Sequence, residues 1–349
     1  MAYTTIDKPS KYFNTLTYTG NASYPRSITG VGFKPDFTWI KTRSSASFGH
    51  SLTDAVRGAN NILLSESTGA EFTNANNVNA FASDGFTLGN TNYSGYSNSN
   101  AENYVAWNWL GSNTTASNTA GSITSTVSAN TTSGFSIVSY TGNGSTSATV
   151  GHGLGVTPEV LIIKNRTNAY NWAVYHKDLG NTGGCFLNST SAFTTDADLF
   201  NNTSPTSSLV TFSNSTLTNQ GSANHIMYAF NSVKGFSKFG KYTGNGSADG
   251  TFIYTGFKPA FFLNKRTDTT SGVWFMFDNK RADYNVVNKE LYANTSDAEA
   301  TADRMDFLSN GFKCRSTSAS LNASGGTYIY MAFAENPFTS SKGIPCTAR

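Results

Sequence analysis

The chain is short of charge. Lys and Arg number 24 and Asp and Glu 21, together 13% of its 349 residues, about half the usual share. A net charge of +3, with no basic stripe, gives no electrostatic case for nucleic acid. Cysteine is scarce too. Cys185, Cys314 and Cys346 are odd in number, far apart and without C-x-x-C spacing, which argues against a disulfide framework and a thiolate metal or redox motif. They read as buried or merely tolerated thiols. No stretch approaches the ~20 apolar residues of a membrane-spanning helix, and no apolar segment of signal type follows Met1. The expectation is a protein made in the cytosol without an export signal, binding neither membrane nor nucleic acid.

Residues that carry chemistry are equally thin. The four histidines, His50, His152, His176 and His225, do not recur at matching places, and they are expected to be solvated or hydrogen-bonded loop residues. The carboxylate pairs a glycosidase needs could come from Asp278 with Asp283 or Asp196 with Asp198, but these sit in turn or helix-cap contexts and do not repeat. Gly151-His152-Gly153-Leu154-Gly155 is glycine-rich, yet Thr157-Pro158 and a strand follow where a phosphate loop requires a helix. Sequons such as Asn21-Ala22-Ser23 and Asn188-Ser189-Thr190 follow from composition. The reading is no catalytic residue, no metal and no cofactor.

What the chain has instead is Ser, Thr, Asn and Gly, with aromatics at 13%. Disordered chains are poor in aromatics, and this mix suits sheets and tight turns. It also has a phrase used three times. Tyr18-Thr19-Gly20-Asn21 returns as Tyr140-Thr141-Gly142-Asn143-Gly144 and as Tyr242-Thr243-Gly244-Asn245-Gly246. Each copy is followed by Gly-x-x-Pro, ending at Pro35, Pro158 and Pro259, and then by an apolar run closing on Lys41, Lys164 or Lys265. Each ends in a β-rich run at 104–107, 226–230 or 328–333. Opening Tyr to closing Ala spans about 90 residues, one small domain. The repeated phrase reads as a hairpin turn, because Asn and Gly tolerate the positive φ that tight turns demand.

These markers divide the chain into an N-terminal arm at 1–11, a first module at 12–110, a Ser/Thr/Asn-rich linker at 111–133, a second module at 134–234, a third at 235–338 and a tail at 339–349. Modules two and three abut, so a rigid join is expected. Antiparallel β-sandwiches of about a hundred residues are the economical fold, giving an all-β protein of three tandem modules. The continuous apolar run 160–163 suits a strand covered on both faces. Residues 51–58 fit either one helical turn or a strand with a bulge. The best helix candidate is 296–304, where Ser296 and Glu299 fit a capping box. Arm and tail bury too little apolar surface to order themselves, so one of them is expected to contact another chain, with a homotrimer the first choice. Tyr93, Tyr96, Trp109, Tyr170 and Tyr284, set in Asn/Ser/Gly-rich loops, are the candidates for surface recognition of glycan or protein.

Four stretches carry a resemblance: Ala2-Tyr3-Thr4-Thr5-Ile6-Asp7, Val105-Ala106-Trp107-Asn108-Trp109, the run from Gly134 to Gly144, and the run from Tyr328 to Glu335. Together with the triplicated Tyr-Thr-Gly-Asn pattern, they resemble a family of bacteriophage virion proteins found especially in marine phages. The likeness covers essentially the whole chain. It implies jelly-roll or lectin-like sandwich modules and a non-enzymatic virion component: a tail fibre, spike or other surface projection, or alternatively a capsid decoration. A polysaccharide-degrading virion enzyme is the remaining alternative. The partners implied are other virion proteins, with host-surface glycan as a further contact. The family supplies no catalytic residues to carry over.

Overall fold

A strand that is apolar on both parities needs cover on both faces. In the computed structural model, which describes residues 3–282 and 284–346, the strand Val160–Asn165 is buried along its whole length, as is Phe37–Thr42. Both belong to sheets built in one order, with the opening strand beside the closing strand, then the second, then the third. In the first sheet these are Phe13–Thr19, Asn103–Trp109, Phe37–Thr42 and His50–Asp54. In the second they are Phe135–Thr141, Asn224–Phe230, Val160–Asn165 and Ala173–His176. In the third they are Ser237–Thr243, Thr327–Pro337, Phe257–Arg266 and Trp274–Asp278. The registers also match. Phe37, Val160 and Phe261 lie opposite Trp109, Phe230 and Phe333 on one side, and opposite Asp54, His176 and Asp278 on the other.

Alternation along these strands feeds two kinds of core. One parity packs under short outer strands of the same repeat. Ile40, Tyr104 and Ala106 meet Ile28, Phe86 and Leu88; Leu161, Ile163 and Met227 meet Val150, Val210 and Phe212; Phe262, Tyr328 and Tyr330 meet Met305, Phe307 and Phe312. The other parity, including Trp39, Trp107, Ile162, Tyr228, Leu263 and Met331, enters one central core fed by all three sheets. Rings meet across the repeats there, Phe37 with Tyr228 at 4.4 Å and Phe13 with Phe333 at 5.0 Å between centroids. The expectation of sandwiches strung in a row is therefore corrected: the inner faces of the three sheets close on one another.

The seams of this ring are built alike. At the third-strand start, Trp172 Nε1 donates to Leu64 O at 2.9 Å and Trp274 Nε1 to Phe186 O at 2.9 Å. The residue in that register of the first sheet is His50, whose Nε2 lies 2.9 Å from Tyr292 O. At the strand end, Asp54 accepts from Tyr228 Oη at 2.8 Å and Asp278 from Trp107 Nε1 at 3.0 Å. Each aspartate pairs with an arginine three residues on, Arg57 at 2.5 Å and Arg281 at 2.6 Å. Arg57 and Arg166 then share Glu71 at 2.8 and 2.7 Å, as Arg281 and Arg43 share Glu299 at 3.1 and 2.8 Å. Among the described residues the seam between the second and third repeats has no such network: His176, Leu179, Phe193 and Thr267 stand in the places of Asp, Arg, Glu and Arg. The matching backbone bonds fix that equivalence, since Glu71, Glu299 and Phe193 donate their N–H to Arg166, Arg43 and Thr267.

Local readings change where tertiary pairing outweighs them. Within the linker 111–133, Ser125–Asn130 pairs along the open edge of Phe135–Thr141 and Ala116–Asn118 pairs along Ser125–Asn130, so the segment extends the second sheet. The helix expected at 296–304 is not formed. Ala300–Leu308 is a strand whose Met305 and Phe307 enter the third outer core, and Glu299 is held by arginines rather than by a helix N-terminus. Residues 51–58 resolve into the strand His50–Asp54 followed by a turn. Pro35 and Pro158 sit just before their strands, whereas Pro259 lies inside Phe257–Arg266 at a register shift, a position where a missing N–H is tolerated.

The arm is anchored within its own chain. Ile6 is buried in the central core, Tyr3 Oη donates to Gly256 O at 2.7 Å, and the Asp7 carboxylate accepts from Ser341 N and Oγ at 2.6 and 2.5 Å. These contacts tie the arm to the third repeat and the tail within the chain. Met1, Ala2 and 347–349 lie outside the described residues. Among those described, no helix is long and apolar enough to cross a membrane.

Candidate functional site

The repeated turn is a corner between sheets, not a hairpin. Each opening strand pairs with its closing strand, while the strand after the turn pairs in the outer layer: Arg26–Thr29 with Gly85–Leu88, Ala148–Gly151 with Leu209–Phe212, and Phe252–Tyr254 with Gly311–Cys314. Tyr18, Tyr140 and Tyr242 donate their hydroxyls to Ser97 O, Thr218 O and Leu321 O at 2.9, 2.5 and 2.8 Å. The next residues, Asn98, Asn219 and Asn322, are buried and accept from the N–H of Asn21, Asn143 and Asn245. The glycine of the phrase answers to proximity rather than to φ. A Cβ on Gly20, Gly142 or Gly244 would lie 2.0, 2.3 or 2.3 Å from a carbonyl oxygen of Ser99, Gln220 or Ala323. Positive φ falls two residues later, on Gly144, Gly246 and, in the first repeat, Ala22. These residues hold the fold.

The histidines are not solvated loop residues; all four are buried. His50 Nδ1 accepts from Trp39 Nε1 at 2.8 Å while Nε2 meets Tyr292 O, so the neutral ring satisfies both sides. Burial, then Lys41, holds its pKa down to about 3. His176 and His225 are lowered to about 4, chiefly by burial. His152 is lowered too, with Nε2 on Thr206 O at 3.2 Å and Nδ1 accepting from Leu154 N. Lys41, Lys164 and Lys265 are buried beneath backbone carbonyls and lowered by that burial to about 8; Lys164 and Lys265 reach Thr68 O and Thr190 O of the neighbouring repeat at 3.1 and 2.8 Å.

Of the acids and thiols, Asp196 caps the short helix Ala197–Phe200 and Asp278 belongs to a seam. Asp283 lies outside the described residues. Cys185 and Cys314 are buried and Cys346 is exposed. Among the described residues no group of three His, Cys, Asp or Glu side chains is placed to hold a metal ion.

Of the five rings expected at the surface, Trp109 is not there. It continues the closing strand on the parity of Trp107 and packs in the central core. Tyr96 is half-buried edge-on to Phe48, and Tyr170 is half-buried. Tyr93 is 43% exposed and Tyr284 80%. No ring contact among the described residues joins any two of the five.

Tyr284 lines a cleft of about 620 Å³ on the third repeat, together with Asn279, Phe307, Asn310 and Asn336 and the ion pair Lys258–Glu335 at 2.7 Å. Asn285 also lines it, but its carboxamide is spent on both backbone groups of Phe307. The Asn279, Asn310 and Asn336 carboxamides make no side-chain hydrogen bond among the described residues, and the Asn279 Oδ1 is buried without a partner. A second cleft, of about 350 Å³, gathers Tyr3, Lys177, Lys234, Lys238 and Tyr254. Sequence reasoning missed it because its residues come from four distant stretches.

The geometry defines an all-β, ring-closed body with one open cleft on its third repeat and another where the second and third repeats join. Residues 8–337 match the family described as "Domain of unknown function (DUF7483)", and the chain belongs to that family. No curated protein and no solved structure matches it.

Proposed function

We propose that the chain is a non-enzymatic structural protein of a bacteriophage virion, in a tail fibre, spike or other surface projection, that touches host-surface saccharide through the Tyr284 cleft. The observation that carries this reading is the cleft itself. An exposed phenol ring stands in a cleft with three asparagines whose carboxamides make no side-chain hydrogen bond among the described residues. Carboxamides donate and accept in the pattern that sugar hydroxyls require, and an exposed ring offers a flat apolar face to a sugar's C–H surface. The resemblance of the Tyr-Thr-Gly-Asn repeats to phage virion proteins supports the virion setting, in which other virion proteins and further copies of this chain are its partners.

The test has two arms. Antibody labelling of phage particles should place the chain on the tail or another projection; label spread over the head would favour capsid decoration. Titration of the purified chain with neutral oligosaccharides should shift amide resonances of residues 307–310, and Tyr284→Ala should remove the shifts. Turnover of host polysaccharide, abolished by one carboxylate substitution, would overturn the non-enzymatic reading.

A further inference from the structure

The second cleft is built differently from the first. Its floor is the segment joining the second and third repeats, with Ser232, Lys234, Ser237 and Lys238. One wall is Lys177, just beyond the third strand of the second repeat, and the other is Tyr254 at the end of an outer strand, with Tyr3 of the arm laid across. The acid beside it, Glu159, is engaged, pairing with Lys177 at 2.9 Å and accepting from Ser232 Oγ. Three lysines against one glutamate leave two positive charges uncompensated. Lys234 forms no ion pair or hydrogen bond among the described residues; its Nζ lies 4.5 Å from the centre of the Tyr3 ring. Lys238 Nζ donates to Tyr254 O at 2.7 Å and lies 5.5 Å from that residue's ring centre. Burial first, and then the neighbouring Lys177, lower its pKa, while Glu159 opposes them.

The two tyrosines form a braced platform. Tyr3 Oη sits 3.1 Å from Tyr254 Oη and donates to Gly256 O at 2.7 Å, so both rings are held while Tyr254 stays 48% exposed. A cation seated over an aromatic face is attracted to it, which keeps the ammonium groups at the platform rather than free in solvent. The volume is at the lower end of small-molecule sites. Two excess charges gathered in one small open cleft suit one oxyanion and not a polyanion, whose track would need a basic stripe.

We propose that this cleft binds a sugar ring carrying an oxyanion, carboxylate or sulfate, with the anion between Lys234 and Lys238 and the ring against Tyr254. The site is separate from the Tyr284 cleft and stands even if that cleft binds nothing. The shared chemistry is a monoanionic saccharide, which could be a uronate or a sulfated sugar.

The experiment titrates the full chain with a uronate disaccharide, a sulfated disaccharide, a neutral disaccharide and inorganic sulfate, reading amide shifts at Ser237, Lys238 and Thr255. At least one charged disaccharide should bind, at least tenfold more tightly than the neutral one and more weakly as salt rises; which of the two binds better identifies the source. Lys234→Gln, whose side chain makes no hydrogen bond to lose, should weaken that binding at least fivefold with an unchanged melting temperature. Tyr254→Ala should weaken saccharide binding while leaving sulfate binding in place. Tyr284→Ala should change nothing here. Equal binding of neutral and charged disaccharides, sulfate binding as tight as either saccharide, an unaffected Lys234→Gln variant, or no binding of any probe would each overturn the proposal.

Discussion

Trp39 donates its indole N–H to His50 Nδ1 at 2.8 Å, and that bond fixes the histidine as the neutral tautomer whose Nε2–H bridges to Tyr292 O of the third repeat. A second proton has nowhere to go, because Nδ1 already faces a donor. His50, His176 and His225 all have folded pKa values pushed below the ordinary 6.5, to about 3 or 4. Below pH 6.5 the unfolded chain therefore binds protons that the folded chain refuses. The stabilisation is fully present above pH 6.5 and is lost as pH falls toward 4 and 3. Melting temperature should decline over that interval, and histidine ring resonances should show no titration near pH 6.5 in the native protein. A ring titrating at its ordinary value would place that histidine in solvent.

Removing one partner of a buried ionic cluster leaves the others uncompensated. Glu71→Gln strands part of the charge of Arg57 and Arg166, and Glu299→Gln does the same to Arg281 and Arg43. Each should cost about 3 kcal/mol in denaturant unfolding. Replacing Lys177 or Lys258, whose pairs are partly exposed, should cost less than about 1 kcal/mol.

Gly142→Ala and Gly155→Ala should separate two reasons for glycine. At Gly142 an added methyl meets a backbone carbonyl oxygen at 2.3 Å, whereas at Gly155 it meets nothing within 4 Å but carries a φ of +71°. The second change should cost about 1–2 kcal/mol, the left-handed penalty for an L-residue. The first should cost more, since the corner pinned by Asn219 must open. Chemical denaturation of the two variants side by side gives the order.

The shared core makes unfolding collective. Ile162→Asp places an unpaired charge among residues of all three sheets, so the whole chain should lose its native signal and not the second repeat alone. Calorimetry of the unsubstituted protein should accordingly show one transition. Three resolved transitions would mean that the repeats hold themselves up.

Much of this was legible in the residues. Val160 to Ile163 announced a strand covered on both faces, and Trp39, Ile162 and Leu263 all lie in the central core. What covers the second face was not legible, because nothing local distinguishes a neighbouring repeat from a neighbouring sheet of the same one. His50 seemed to lack a counterpart because its counterparts are Trp172 and Trp274, alike in offering a ring N–H at one register and unlike in name. Residues 296–304 carried a sound local helix signal that lost to Arg43 and Arg281, residues distant from it in sequence or already engaged elsewhere. The Tyr284 ring was found as an exposed aromatic, but the lysine cleft was not: position 3, position 177, the 232–238 segment and position 254 share no pattern until the chain brings them together.

The ring is unevenly fastened. Two of its seams are held by carboxylate–arginine networks; the third, apart from the Trp274 and Lys265 bonds to backbone carbonyls, rests on Leu179, Phe193 and a neutral histidine. Apolar contact weakens on cooling, while the desolvation cost of ion pairs falls on heating, so temperature works on the seams in opposite directions. Cold should loosen the body along the line between the second and third repeats first, turning a closed triangle into one with a single hinged side, and amide exchange around Phe193 and Thr267 should quicken there before it does at Glu71 or Glu299.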